Sequence, residues 1–231
     1  MDFDAAIRLT EILLALAFVQ QSVEHLYGPK AEQRLFLVRL ILSILLLIGL
    51  STQWICVVLF INGIFILKRF QGPYNGGSDR MSLLILSCLC LIHFMPTLYL
   101  KEFVFAYLAL QVILSYWLSG FFKIINPEWW SGQVLKDLFC FSAFPASENL
   151  RSLADYPKIL CLASWAVIVF ELLFPLIVLS QEILVMGLFV SLVFHLANTY
   201  LLGFNRFLWV WLAAYPSLIW LQQYLMTNFS H

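Results

Sequence analysis

The sequence predicts an all-α integral membrane protein, a bundle of about eight transmembrane helices with a long cytoplasmic loop. The first observation is composition. Of the 231 residues, 62% are hydrophobic and 11% are charged, whereas roughly a quarter of the residues in soluble domains are charged. The second observation is a series of apolar runs with short polar stretches between them, and the third is a one-sided distribution of Lys and Arg. We expect a single transmembrane domain covering residues 1–231.

The charge balance excludes a nucleic-acid partner, and the cysteine spacing gives no indication of a metal site. The 13 Lys and Arg residues balance 13 Asp and Glu residues, so the chain lacks the basic surface that a nucleic-acid partner requires. The five cysteines lie mostly inside apolar runs, and no CxxC or His/Cys spacing typical of metal ligands occurs. We therefore expect packing cysteines and no metal site. The expected partners are the lipid bilayer and a membrane or soluble protein.

The apolar runs were placed by length, because a bilayer core of roughly 30 Å requires about 20 residues of helix. They cover residues 5–26, 35–50, 54–67, 81–98, 103–124, 159–179, 183–202 and 207–225. The second and third runs are short, and the stretch Gly-Leu-Ser-Thr-Gln at residues 49–53 covers the junction between them. Whether each of these two spans the membrane is left open, and a broken or re-entrant pair is the alternative.

Orientation follows from the positive residues, which are retained in the cytoplasm. With eight spans, eleven of the 13 Lys and Arg residues fall on one side, and only Arg8 and Lys101 fall on the other. Both termini are thus predicted to face outward, in a bacterial inner membrane. The acidic start at residues 1–4 argues against a cleaved signal peptide. The inner side carries the long loop at residues 125–158, which favours a site at the cytoplasmic mouth.

Charged side chains inside a membrane are costly and are functional candidates by default. Arg8, Glu11, Gln21 and His25 share one broad face of the first helix. They form either a polar seam with an Arg8–Glu11 pair or the wall of a proton path.

Two further ionisable residues lie deep in consecutive helices. Glu171 is midway along the sixth run, and His195 is on the seventh, with Ser191, Asn198 and Thr199 on its face. We predict that Glu171 and His195 interact directly or through one water, since each is costly alone.

Two polar stretches flank helices on the inner side. Residues 72–80 include Gly76, Gly77, Asp79 and Arg80, and Ser78 or Asp79 is expected to cap the following helix. The exposed amides of a helix start favour an anion, although a plain capped turn is equally compatible. The second stretch joins Lys123 to Trp129 and Trp130, where a snorkelling lysine and an interfacial tryptophan belt are the simpler interpretation.

At these residues the sequence resembles the vitamin K-dependent gamma-carboxylase superfamily and its bacterial relatives, the horizontally transferred transmembrane (HTTM) domain proteins. The main likeness is YWLSGFFKIINPEWWSG at residues 116–132. Three more stretches agree in order, and together they cover most of residues 70–216: GPYNGGSDRM at 72–81, FELLFP at 170–175, and FHLANTYLLGFNRFLWVWLAAYP at 194–216.

The resemblance implies an enzyme that uses a reduced quinone to generate a strong base, with Lys123 at the position of the proposed catalytic base. The leading hypothesis is a carboxylase-like or oxidoreductase-type membrane enzyme that binds a quinone or hydroquinone at a cytoplasmic-facing polar mouth. Its candidate catalytic residues are Lys123, His195 and Glu171. The candidate cofactor-binding residues are Gly76, Gly77, Asp79, Arg80, Trp129, Trp130, Asn198 and Arg206.

The alternative is a non-catalytic membrane subunit or assembly factor, in which the polar residues only hold helices together. A looser likeness is to redox membrane proteins that accompany thiol oxidoreductases. It ranks lower, because Cys88 and Cys90 point about 200° apart on a helix.

Overall fold

The structure, a computed structural model, describes residues 1–27, 30–69, 76–141 and 147–229. All regular secondary structure in these ranges is helical, as the sequence predicts. The α-helices are α1 Phe3–His25, α2 Lys30–Ile48, α3 Thr52–Arg69, α4 Gly76–Phe94, α5 Leu98–Ile124, α6 Pro127–Trp130, α7 Gln133–Phe141, α8 Pro157–Leu173, α9 Gln181–Leu202 and α10 Asn205–Phe229. Two 3-10 helices, Glu148–Asp155 and Phe174–Val178, precede and extend α8.

The long helices lie where the apolar runs predict them. Helices α2 and α3 are each continuous and a turn joins them, so neither helix is broken internally, and the re-entrant alternative stays a prediction. That turn uses positive φ at Gly49 (88°) and at Ser51 (43°). A left-handed conformation costs glycine little, but it is uncommon for serine. The surrounding turn therefore holds Ser51 in a backbone conformation that serine rarely adopts.

Four helical segments in the described residues are long and apolar enough to cross a membrane, which indicates an integral membrane protein in contact with lipid. They are Gly77–Phe94, Leu98–Ile124, Pro157–Val178 and Gln181–Leu202, and the apolar helix Thr52–Lys68 is shorter. Large apolar side chains on α9, such as Met186 and Phe189, are more than 60% exposed. Such a surface fits a lipid environment and would be unfavourable in water.

The predicted long loop is largely helical instead, with residues 142–146 outside the described part. Helices α6 and α7 and the 3-10 helix Glu148–Asp155 follow one another. Arg151 donates to the Cys140 carbonyl oxygen at 2.6 Å, which satisfies an orphan acceptor at the end of α7. Its guanidinium also pairs with Glu148 and lowers the pKa of that carboxyl. These local contacts stabilise helical structure within residues 125–158, for which the polar composition predicted a loop.

The chain divides into two compact units. The first comprises Met1–Ala109 with Trp209–Phe229, and its core includes Leu14, Phe18 and Leu89. The second comprises Leu110–Leu208. In the second unit a small apolar cluster of Phe139, Ala154 and Leu160 packs α7 against the start of α8.

Candidate functional site

The second unit contains a buried ion pair between α5 and α8. Lys123 Nζ donates to Glu171 Oε2 at 2.5 Å. The two side chains are 14% and 4% exposed. Lys123 also donates to Ser119 Oγ at 2.5 Å, and Ser119 donates to Glu171 Oε1 at 3.2 Å. The amine is therefore directed at a carboxylate, which contradicts the snorkelling interpretation.

One face of α5 supplies this arrangement. Tyr116, Ser119, Gly120 and Lys123 have the i, i+3, i+4, i+7 spacing that places side chains on one side of a helix. Ser119 opens the stretch that leads to Lys123, but neither it nor Tyr116 was predicted as a site residue, although their spacing from Lys123 was the signal that could have found them. A polar stripe on an apolar helix marks its buried face.

Gly120 explains why α5 and α8 approach closely at the ion pair. A Cβ atom at this position would lie 2.9 Å from the Leu172 amide nitrogen and 3.0 Å from the Glu171 Cβ. Two of the nearest atoms thus belong to the backbone or to a Cβ, and they cannot rotate away. Glycine brings the α8 backbone within reach of the Lys123 side chain.

The segment after α5 folds back onto α8. Asn126 accepts a hydrogen bond from the Glu128 amide and caps α6, whose first residue is Pro127. Ser164 Oγ and Cys161 Sγ on α8 donate to the carbonyl oxygens of Trp129 and Trp130.

Trp129 and Trp130 differ in their relation to the ion pair. Lys123 Nζ lies 5.1 Å from the centroid of the Trp129 ring, within cation–π range. Trp130 instead donates its indole N–H to the Ile124 carbonyl oxygen at 2.8 Å. Trp129 thus contacts the candidate catalytic lysine, and Trp130 closes the turn below it.

Gly132 ends this turn with φ of 76°. A Cβ there would lie 2.6 Å from the Cys161 amide nitrogen. Both glycines of the YWLSGFFKIINPEWWSG motif therefore mark positions where the chain meets the α8 backbone.

His195 belongs to a separate hydrogen-bonded group. The Tyr116 hydroxyl lies 2.6 Å from His195 Nε2 and 2.6 Å from Ser191 Oγ. The Tyr116 ring stacks on Phe174 with centroids 3.9 Å apart. The predicted interaction between Glu171 and His195 is not a direct hydrogen bond, because Glu171 bonds to Lys123 and Ser119 while His195 bonds to Tyr116. The alternative through one water stays a prediction. Both groups nevertheless start from the same face of α5.

The predicted cofactor residues on α4 are helical and lie in the first unit. Gly76 and Gly77 form the first turn of α4, so the predicted loop at these two residues is wrong; residues 70–75 lie outside the described part. Asp79 lies inside the helix, so it does not cap it. Its buried carboxylate accepts from Gln21 Nε2 at 3.2 Å. Arg80 is exposed.

Asn198 and Arg206 flank the junction of α9 and α10. The Asn198 carbonyl oxygen accepts from the Phe204 amide at 3.2 Å, and Gly203 adopts φ of 76° to end α9. Arg206 is half-buried in the first turn of α10. The hydrogen bonds and ion pair of Lys123 go to Ser119 and Glu171, so neither Asn198 nor Arg206 contacts it in this way.

The first unit contains a second polar group, centred on Glu11. The predicted Arg8–Glu11 pair is confirmed, with Arg8 Nη1 donating to Glu11 Oε2 at 2.8 Å. Arg8 also donates to the Leu46 and Leu47 carbonyl oxygens at the end of α2. His93 Nε2 lies 2.8 Å from Glu11 Oε1. His93 was missed at the sequence level, because it stands at the end of an apolar run with no polar neighbour on its face.

The other polar residues of α1 have separate partners. Gln21 bonds to Asp79, and His25 Nδ1 lies 3.6 Å from Glu32 Oε2 while its ring stacks on Phe36 with centroids 3.9 Å apart. Three helical turns of α1 therefore carry three different polar contacts. The polar residues of α1 thus form three separate contacts and not the single polar seam predicted along the helix.

No protein-family model matches the chain, and no curated protein or solved structure matches it. The resemblance to the carboxylase superfamily stays a prediction from the motifs.

Proposed function

We propose that the protein is a membrane enzyme in which the Lys123–Glu171 pair performs proton transfer on a lipophilic quinone-like molecule. The observation that supports this most directly is the 2.5 Å contact between Lys123 Nζ and Glu171 Oε2, whose side chains are only 14% and 4% exposed. Buried ion pairs contribute little to stability compared with apolar packing. A pair retained at such a position is a candidate for chemistry.

Proton exchange within the pair gives Lys123 the property that a base requires. An amine accepts a proton only when it is neutral, and a carboxylate in direct contact can take up the proton that the ammonium loses. Glu171 Oε2 is placed to hold this proton, and Ser119 bonds to both groups. Trp129 offers its ring face to the charged form of the amine.

The donor set near Tyr116 fits a quinone or hydroquinone. Quinone oxygens need hydrogen-bond donors, and the flat ring needs apolar or aromatic neighbours. Tyr116 and His195 supply polar hydrogens, and Phe170 and Phe174 lie beside the Tyr116 ring with centroid distances of 5.7 and 3.9 Å. A bound hydroquinone would supply acidic hydroxyl groups and two electrons. In this proposal His195 orients the Tyr116 hydroxyl, and Lys123 accepts the proton at Nζ.

Eight membrane spans with outward termini complete the proposal. Support comes from the eight long helices in the described residues and from the Lys and Arg bias. In the first unit, one cavity is lined by residues from the start of α1, the α2–α3 turn, the end of α4 and the start of α5. If α1–α5 cross the membrane in alternate directions, these four helix ends lie on the same side, as the shared cavity requires.

The test compares Lys123→Arg with Lys158→Arg in purified protein. Arg keeps the positive charge but stays protonated at all accessible pH, so it cannot become a base. We expect wild-type protein and Lys158→Arg to retain a stoichiometric quinone by lipid mass spectrometry. Both should also support base-dependent oxidation of added hydroquinone by dissolved oxygen, which takes up the two electrons and two protons as hydrogen peroxide. Lys123→Arg should bind quinone yet lose at least 100-fold of that activity, the lower range for a general base.

Two outcomes would overturn the proposal. The first is full activity in Lys123→Arg at unchanged expression and helix content. The second is a stoichiometric protein partner in the absence of any small molecule, which would favour the scaffolding alternative.

A further inference from the structure

The first unit contains three metal-ligating side chains that the proposed function does not use. Glu11 on α1, Cys56 on α3 and His93 on α4 place one donor atom each within 4.8 Å of one another. Glu11 and Cys56 are buried, with exposed fractions of 2% and 0%. Carboxylate oxygen, thiolate sulfur and imidazole nitrogen together form a donor set typical of Zn²⁺ and related ions.

The distances bracket those of a tetrahedral site. Zinc–ligand bonds of about 2.0–2.3 Å place tetrahedral donors roughly 3.3–3.8 Å apart. Glu11 Oε1 and His93 Nε2 are closer, at 2.8 Å, and no two of the three donor atoms are more than 4.8 Å apart. A bound ion would replace the hydrogen bond between Glu11 and His93 and would draw Cys56 Sγ closer. The side chains would have to move by about 1 Å or less.

Arg8 fixes the carboxylate without occupying the oxygen that faces His93. It bonds to Glu11 Oε2 and anchors itself on the Leu46 and Leu47 carbonyl oxygens, at 2.9 and 2.7 Å. Ligating carboxylates are commonly held in this way by outer hydrogen bonds. Glu11 Oε1 is left directed at His93 Nε2, and a carboxylate oxygen of Glu11 lies within 4.8 Å of Cys56 Sγ.

A cavity gives the cluster an open side. It has a volume of about 340 Å³, and Glu11 and His93 line it together with Asp4, Arg8 and Lys101. Three protein ligands with one position open to a polar cavity is the arrangement of zinc sites that bind a water or a small anion. Arg8 and Lys101 are also the two basic residues that depart from the positive-inside distribution, so both exceptions lie at this cavity.

We propose that Glu11, Cys56 and His93 form a transition-metal site of the zinc class, with its fourth position directed into the cavity. On binding, the Cys56 thiol loses its proton to solvent and the sulfur bonds to the ion. His93 moves its ring proton to Nδ1 and ligates through Nε2, while Glu11 ligates through Oε1. The site joins α1, α3 and α4 and is independent of the Lys123–Glu171 pair.

The test uses Co²⁺ as a spectroscopic probe on the purified full chain in detergent, stripped with chelator. We expect one Co²⁺ per chain, a thiolate-to-cobalt charge-transfer band in the near ultraviolet, and displacement of the band by Zn²⁺. Cys56→Ser should lose the band, and Glu11→Gln should lose stoichiometric binding. Cys88→Ser is the matched control, because Cys88 is equally buried but outside the cluster, and it should behave as wild type.

A measurement without substitutions protects the test against misfolded variants. The zinc absorption edge of the wild-type protein should report one sulfur and two or three nitrogen or oxygen neighbours in four-coordination. A shell without sulfur, a band that survives in Cys56→Ser, or the absence of stoichiometric Co²⁺ binding would each overturn the proposal.

Discussion

Replacement of Gly120 by Ala tests whether close packing of α5 on α8 holds the Lys123–Glu171 pair together. The added Cβ would lie 2.9 Å from the Leu172 amide nitrogen, whereas ordinary contacts begin near 3.4 Å. The α8 backbone must therefore move by about 0.5 Å, and Glu171 must move with it. Overpacking of this kind costs about 1–3 kcal/mol.

Gly63→Ala is the matched control, since Gly63 lies inside α3 and its added Cβ would meet only the Leu83 side chain, at 2.8 Å from a terminal methyl group. Alanine favours a helix over glycine by about 1 kcal/mol at both positions, so the propensity gain cancels in the comparison. We expect Gly120→Ala to be less stable than Gly63→Ala by about 1–3 kcal/mol. Reversible unfolding in mixed micelles, followed by circular dichroism, measures the difference. Equal free energies of unfolding would refute the packing argument.

Two further predictions concern the hydrogen-bonded tyrosine and the membrane topology. Tyr116→Phe removes the hydroxyl that joins Ser191 to His195, both at 2.6 Å, and should cost about 1–3 kcal/mol of unfolding free energy. Tyr107→Phe, at a 46% exposed position, should be close to neutral in the same micelle assay, and equal losses would contradict the role of the hydroxyl. A reporter fused after His231 should read as outside the cytoplasm, and one inserted near Glu148 as inside. The opposite pair of readings would disprove the eight-span orientation.

Apolar length was sufficient to locate the long helices, because a run of about 20 apolar residues has few alternatives to a helix in lipid. Apolar length did not predict where the helices begin and end. Helix α4 begins at Gly76, and its first turns contain two glycines and the polar Ser78 and Asp79. The residue pattern alone predicts a loop there. The segment after α5 was likewise taken for a loop, since the caps at Asn126 and Ser147 act over two residues and leave no periodic signal.

The candidate site was predictable only in part, since sequence identifies costly residues without assigning their partners. Glu171 and His195 were both recognised as costly. Their partners Lys123 and Tyr116 lie seven residues apart on α5, and only Lys123 was predicted as a site residue there. His93 and Cys56 show the same limitation in the first unit. Their relation to Glu11 arises from three helices that are distant in sequence, and no local spacing encodes it.

The thiol of Cys161 is a site for selective labelling next to the segment that carries Trp129. Its Sγ donates to the Trp130 carbonyl oxygen at 3.2 Å, and the residue is only half-buried, whereas Cys56 and Cys88 are fully enclosed. In a background lacking Cys90 and Cys140, alkylation would therefore be confined to this thiol. A nitroxide attached there would report the mobility of α6 against α8 directly, while the indole and amine of the candidate site remain chemically untouched.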